Sequence, residues 1–239
     1  MHWHSRMRLT ALAAGAALLL PATAPPASAA PVDEAGLREA LLDQVDLPPG
    51  WAADSEQAAA ERGIGVPTPR EQACLPLFLD AAESVEARAR ADFARTPSGP
   101  FLVTTAASHD SEAAARAAVE AFTEATRECR TFQTEEGVEE YTVTIVYRAT
   151  DLDVEGLGDE STAIRFHRQP ETPDDPPVIT DVVLVRVGEH TVRVAQAGRD
   201  DPGTENIEPL AERAAEKLRE VSEGRTPLPP ADQPGAVDL

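Results

Sequence analysis

The chain has 239 residues with 42 acidic and 21 basic side chains, a formal charge of −21. A surface this acidic repels a phosphate backbone at long range, which argues against nucleic acid and anionic membranes as partners. Two cysteines and a scarcity of aromatics exclude a cysteine-rich scaffold and predict a thin core of Val, Leu, Ile and a few Phe and Tyr.

Residues 1–29 read as a secretory leader. Arg6 and Arg8 form a basic start, Leu9 to Leu20 is an apolar run, and Ala27-Ser28-Ala29 is a small-x-small cleavage signal. The run is too short for a membrane span, and no later segment is long and apolar enough. A secreted, extracellular location follows as an expectation. Arg6 and Arg8 leave with the leader, so the charge moves from −21 to −23.

The remainder reads as one domain over residues 30–224, with a Pro-rich disordered tail over 225–239. Asp33 caps a helix carrying Leu37, Leu41 and Val45, ended by Pro48-Pro49-Gly50. Residues 52–70 read as a loop. A short helix through Leu77 and Phe78 follows, with Pro76 expected in its first turn. Val85, Ala87, Ala89, Ala91 and Phe93 alternate as a strand. Thr96 to Pro100 turns the chain, and Phe101 to Ser108 returns as a second strand. Asp110 or Ser111 caps a long helix with the apolar line Ala115, Ala118, Phe122, Ala125 and Cys129. Tyr141, Val143, Ile145 and Tyr147 mark a third strand, and Ile164 and Phe166 a fourth. Residues 169–177 (QPETPDDPP) form a loop. Val178 to Val187 and the strand bearing Val192 and Val194 make a hairpin at Gly188-Glu189, which places Leu184 opposite Arg193 and Arg186 opposite Thr191. Ile207, Leu210, Ala211, Ala214, Leu218 and Val221 form the stripe of a last helix, stopped at Gly224. Strands joined by short turns predict an α+β fold: an antiparallel sheet of about six strands flanked by helices, with one disulfide.

Cys74 and Cys129 both fall on inward phases, so a mutual bridge fits; the alternative is two buried free thiols. A bridge closing roughly 55 residues constrains the unfolded chain by about 4 kcal/mol in the loop-entropy description. His109, His167 and His190 are scattered, with no HExxH pattern and no Cys/His cluster, so neither a metal nor a cofactor is expected. No GxSxG or triad motif points to a nucleophile, and Gly156 to Asp159 lacks the lysine and the strand-to-helix setting of a phosphate loop. The chain reads as non-enzymatic. One pattern is less bland. If the strands share one apolar face, the opposite face gathers Arg88, Arg90, Arg148, Arg165, His167, Arg186 and Arg193. Such a face suits an anion held by forked guanidinium groups. Arg148, Arg165, His167, Arg186 and Arg193 are therefore the candidate ligand-binding residues; the bland alternative is a solvated face of arginines paired with neighbouring carboxylates.

Five blocks occur in a familiar order: Leu47-Pro48-Pro49-Gly50-Trp51, the Cys74 helix, Thr126 to Phe132 (TRECRTF), Gly156 to Ser161 (GLGDES), and Val183 to Gly188 with the following hairpin and last helix. Over residues 33 to 222 the chain resembles the PknH-like extracellular sensor domain family of actinobacteria. The resemblance implies an antiparallel sheet flanked by helices and a cleft for a ligand; a second disulfide of some members is absent here. The expected role is a secreted, non-enzymatic, ligand-binding or sensor-like module of the cell envelope, whose partner is a small anionic or amphipathic ligand or an envelope protein. The alternatives are an extracellular hydrolase with a site assembled from distant loops and a protein-interaction module at the cell surface.

The leader makes a direct prediction. Intact-mass analysis of culture supernatant should find a mature N-terminus at Ala30 or Pro31; a secreted product that retains residues 1–29 contradicts it.

Overall fold

A computed structural model describes residues 32–79, 85–154, 156–170, 172, 177–199 and 206–230. The leader, most of the 169–177 loop and the end of the tail lie outside them.

The chain builds one eight-stranded sheet from β1 (Ala52–Asp54), β2 (Val85–Ala94), β3 (Phe101–His109), β4 (Thr131–Glu136), β5 (Val143–Thr150), β6 (Glu160–Arg168), β7 (Val178–Val187) and β8 (His190–Arg199). The spatial order is β1-β2-β3-β8-β7-β6-β5-β4, and every neighbouring pair is antiparallel. Among the described residues four α-helices accompany it: α1 (Glu34–Ala40), α2 (Glu56–Arg62), α3 (Glu112–Glu128) and α4 (Glu208–Ser222). The α+β antiparallel prediction holds, but with eight strands rather than about six. The two extra strands are the edges. β1 is three residues long with two of them exposed, and β4 alternates exposed and buried positions over only six residues, of which Phe132 alone is apolar. Both lie in stretches read as loop or left unassigned, because short edge strands carry little periodic signal.

Other boundaries moved for identifiable reasons. The first helix stops at Ala40, and Val45 is exposed in a separate 3₁₀ turn, Gln44–Asp46. The segment at Cys74 is a 3₁₀ helix, Gln72–Leu77, with Pro76 near its end rather than in its first turn. Tyr141 lies in a 3₁₀ turn before β5 and is 75% exposed. α2 has no buried residue, so it left no apolar stripe to read.

Two apolar cores lie on opposite faces of the sheet. On one face α1 and α4 pack over β2, β3, β8 and β7, around Leu37, Phe93, Leu102, Val183, Val194 and Leu218. On the other, α3 and the Cys74 segment pack over β4 to β8, around Phe78, Phe122, Phe132, Phe166 and Leu184. Ser111 Oγ accepts from the Ala114 N–H at 3.2 Å and starts α3. Cys129, at the other end of α3, is bonded to Cys74 with a Cα–Cα distance of 5.7 Å, so the expected disulfide joins the two pieces of this layer.

The α1/α4 layer also holds a buried charge cluster. Asp43 and Asp46 form a capping box that turns the Asp46 carboxylate inward. There it accepts from Arg213 Nε at 2.8 Å, Lys217 Nζ at 2.8 Å and the Asp43 N–H at 2.9 Å. Lys217, the only lysine of the chain, reaches Asp43 at 3.1 Å as well. Burial alone pushes the Asp46 carboxyl up, but the bonds from Arg213 and Lys217 outweigh it and hold the carboxyl below its ordinary 3.8.

Because the folded value is depressed, this stabilisation is present above the unfolded value and is lost as pH falls through the folded one. Asp46→Asn removes one partner of a buried cluster and should cost about 3–5 kcal/mol in urea unfolding at pH 7. It should also flatten the fall of stability below about pH 4. An unchanged midpoint and an unchanged acid slope would show that the cluster contributes nothing.

Candidate functional site

The expected arginine face does not exist as one surface. Paired residues of neighbouring strands share a face, and the pairings Ile164↔Val182, Leu184↔Arg193 and Arg186↔Thr191 put Arg186 and Arg193 on the α3 face. Arg148↔His167 and Arg165↔Asp181 put Arg148, Arg165 and His167 on the α1/α4 face. The one-face expectation assumed a single apolar side. In fact Ile145, Tyr147, Ile164 and Phe166 belong to the α3 core, whereas Val183, Val185, Val192 and Val194 belong to the α1/α4 core. Arg165 is held by Asp181 through two hydrogen bonds of 2.6 and 2.8 Å. Arg186 lies 3.4–3.5 Å from Asp159, Glu160 and Glu112 and donates to the Gly188 carbonyl at 3.0 Å, clamping the β6–β7 region. Arg148 is exposed and His167 half-buried. Of the candidates, Arg193 alone reaches a cleft. It meets there Arg88 and Arg90, which the same strand phases had grouped with it.

That cleft follows from the curl of the sheet. β3 and β4 are five strand steps apart, about 24 Å if the sheet were flat. Yet Phe101 and Val103 of β3 and Thr134 and Glu136 of β4 line one cavity of about 440 Å³. The sheet therefore curls toward its α3 face. α3 and the Cys74 segment fill one part of the concavity, and α2 with residues 63–70 roofs the rest. Gly137 N–H donates to the Gly63 carbonyl at 2.7 Å, and Arg70 N–H donates to the Gln133 carbonyl at 2.8 Å. The segment is thus a strap tied to β4 at both ends. It also covers part of a free sheet edge, which otherwise invites pairing with another chain.

The lumen is mixed in character. Phe101, Val103, Ile64 and Val66 supply apolar wall. Arg62 lies 5.1 Å from the centre of the Phe101 ring and donates to both oxygens of Asp54 at 3.1 and 2.7 Å. Those bonds hold the Asp54 carboxyl below its ordinary value, against a smaller upward push from burial. Tyr147 Oη donates to Glu136 Oε1 at 2.9 Å, and the other oxygen of Glu136 pairs with Arg168 at 3.2 Å. Burial, reinforced by Glu136, pushes the Tyr147 phenol up, so it stays a neutral donor.

An outer recess of about 390 Å³ adjoins the lumen and shares Arg90, Glu56 and Leu79 with it. Arg90 donates to Asp92 at 2.6 and 2.8 Å and pairs with Glu56 at 2.9 Å. Arg193 is 4% exposed and donates to the Pro76 carbonyl at 3.3 Å. Thr105 stands between them on β3, directly paired with Arg90 on one side and Arg193 on the other. Sequence reading missed Thr105, Arg62, Phe101 and the strap. Only the closely spaced Gly63, Gly65, Pro67 and Pro69 hinted at a special segment. Among the described residues no group of three His, Cys, Asp or Glu side chains is placed to hold a metal.

The strap depends on Gly63. Its φ is +67°, and an added Cβ would lie 2.1 Å from the Gly137 carbonyl oxygen. Gly63→Ala should cost more than about 1 kcal/mol and speed hydrogen exchange at the Gly137 amide. Gly156, at φ +77° with open space around it, is the control. Gly156→Ala should cost less and leave that amide protected; equal effects of the two would refute the anchor.

No protein-family model matches the chain, and no curated protein matches it. Among solved structures, the extracellular domain of PknH from Mycobacterium tuberculosis is similar. The TM-score is 0.55 and the identity 13%, over 82% of this chain and 100% of that one. The chain therefore shares the fold of that extracellular domain.

Proposed function

We propose that this protein is a secreted, non-catalytic, sensor-like module of the cell envelope that binds a small ligand between its curled sheet and the strap. The observation that carries the reading is the roofed cleft: a concave wall of strands, closed by a segment tied down at two points, with apolar and charged groups facing the same space. Binding sites for small molecules have this form and this range of volume. The fold shared with the extracellular domain of PknH adds weight. No helix among the described residues is long and apolar enough to cross a membrane, in keeping with action through a partner outside the membrane. In the lumen Arg62 binds Asp54, Arg90 binds Asp92 and Glu56, and Glu136 binds Tyr147 and Arg168 behind it, so these groups hold one another rather than activate a nucleophile. That favours binding over the hydrolase alternative.

Native mass spectrometry of protein purified from its own culture medium tests the reading. We expect an adduct of small-molecule mass that is lost on denaturation and fails to accumulate on a variant with the lumen blocked by Val103→Trp. A protein free of adducts that hydrolyses ester or glycoside substrates would overturn it in favour of the enzyme.

A further inference from the structure

We propose that the outer recess is an oxyanion subsite, in which Arg88 and Thr105 hold the carboxylate or phosphate of a small polar ligand beside the buried Arg193. The proposal rests on the ligand-binding reading above and adds where the ligand's charge goes.

Three observations meet at this point. First, register sets the groups side by side. Arg90, Thr105 and Arg193 form one row across β2, β3 and β8, and Arg88 stands two residues along β2 on the same face. Second, among the described residues the recess holds a cation without an ion-pair partner, Arg88. Its charged groups are Glu34, Arg38, Glu56, Arg88, Arg90 and Arg193. Glu34 pairs with Arg38, and Glu56 with Arg90, which Asp92 also binds. Arg88 is exposed and makes no hydrogen bond or ion pair with any described residue. Third, the Thr105 hydroxyl is buried in the wall with no hydrogen-bond partner among the described residues. A buried hydroxyl without a partner is costly, and such groups in native folds point to something that satisfies them. Thr105 lines the recess, where Arg193 donates to the Pro76 carbonyl.

The arrangement suits an oxygen anion. Arg88 swings in from the rim to supply charge and a forked donor, while Thr105 donates from the floor. Phe78 and Leu79 border the same recess, and Leu79 is 43% exposed, so the body of the ligand rests on apolar wall. On a protein of charge −21 the unpaired Arg88 is the local positive charge that attracts a small anion at short range.

The test uses the full mature protein, ¹⁵N-labelled, titrated at fixed ionic strength with inorganic phosphate and separately with acetate. We expect saturable shifts at Thr105 and at the Arg88 side chain with at least one of the two. Which anion saturates tells phosphate from carboxylate. Affinity should fall about tenfold in Arg88→Gln and in Thr105→Val, and stay unchanged in Arg148→Gln on the other face. Shifts that never saturate, or affinities that ignore Arg88→Gln and Thr105→Val, overturn the subsite. If native mass spectrometry finds a ligand while neither anion moves Thr105, the subsite fails and the cleft reading stands. If the anions bind at Thr105 but no small molecule co-purifies, the subsite stands and the cleft reading loses its support.

Discussion

Strands β7 and β8 are buried on both faces, and the rest of the molecule is arranged around that fact. Nearly every residue from Thr180 to Gly198 is buried. A strand pair of this kind needs a helical layer on each side, each buried Val or Leu contributing about 1.5–3 kcal/mol. The two layers do not lie directly opposite each other. α1 and α4 extend over β2 and β3, while α3 and the disulfide-bonded segment extend toward β4. Two areas of sheet are therefore only partly covered by the helices of the two layers. One is the exposed side of β4 and β5, with Thr131, Gln133, Glu135 and Arg148. The other is the concave side of β2 and β3, which α2 and the strap roof into the cleft.

The charges of the chain follow the same division. Arginines over the centre of the sheet are locked by carboxylates: Arg165 by Asp181, Arg186 by Asp159, Glu160 and Glu112, Arg213 by Asp46. Such pairs are weak evidence of net stability, since desolvation offsets much of the attraction. Their effect is to fix strand and helix positions, because a shift would leave a buried charge alone. Arg88, which like Arg148 makes no ion pair with any described residue, stands at the rim of the recess.

Much of the fold was legible in the sequence. The β2–β3 hairpin, α3 with its Ser111 cap, the β7–β8 register and the α4 stripe each carry a strong local period. The disulfide was legible too, because both cysteines fall on inward phases. What failed was the assumption of one apolar face, and the signal against it was present. Val178 to Val187 (VITDVVLVRV) is a nearly continuous apolar run, the mark of a strand covered on both sides, rather than an alternating one. Read so, Arg186 and Arg193 separate from Arg148 and Arg165. β1, β4 and α2 were not legible, since edge strands and a helix with no buried residue leave no pattern. A cleft was expected only from the family resemblance, and its place and lining were beyond reach. It depends on the curl that brings β3 beside β4, and curl comes from packing and twist accumulated over eight strands.

The account stands or falls on which partly covered side of the sheet receives the ligand. A crystal structure of the protein purified from its own culture medium, without added ligands, decides this most directly. The account predicts extra density beneath the strap or in the recess beside Thr105 and Arg88. Density instead on the open side of β4 and β5, against Arg148 and His167, would contradict it.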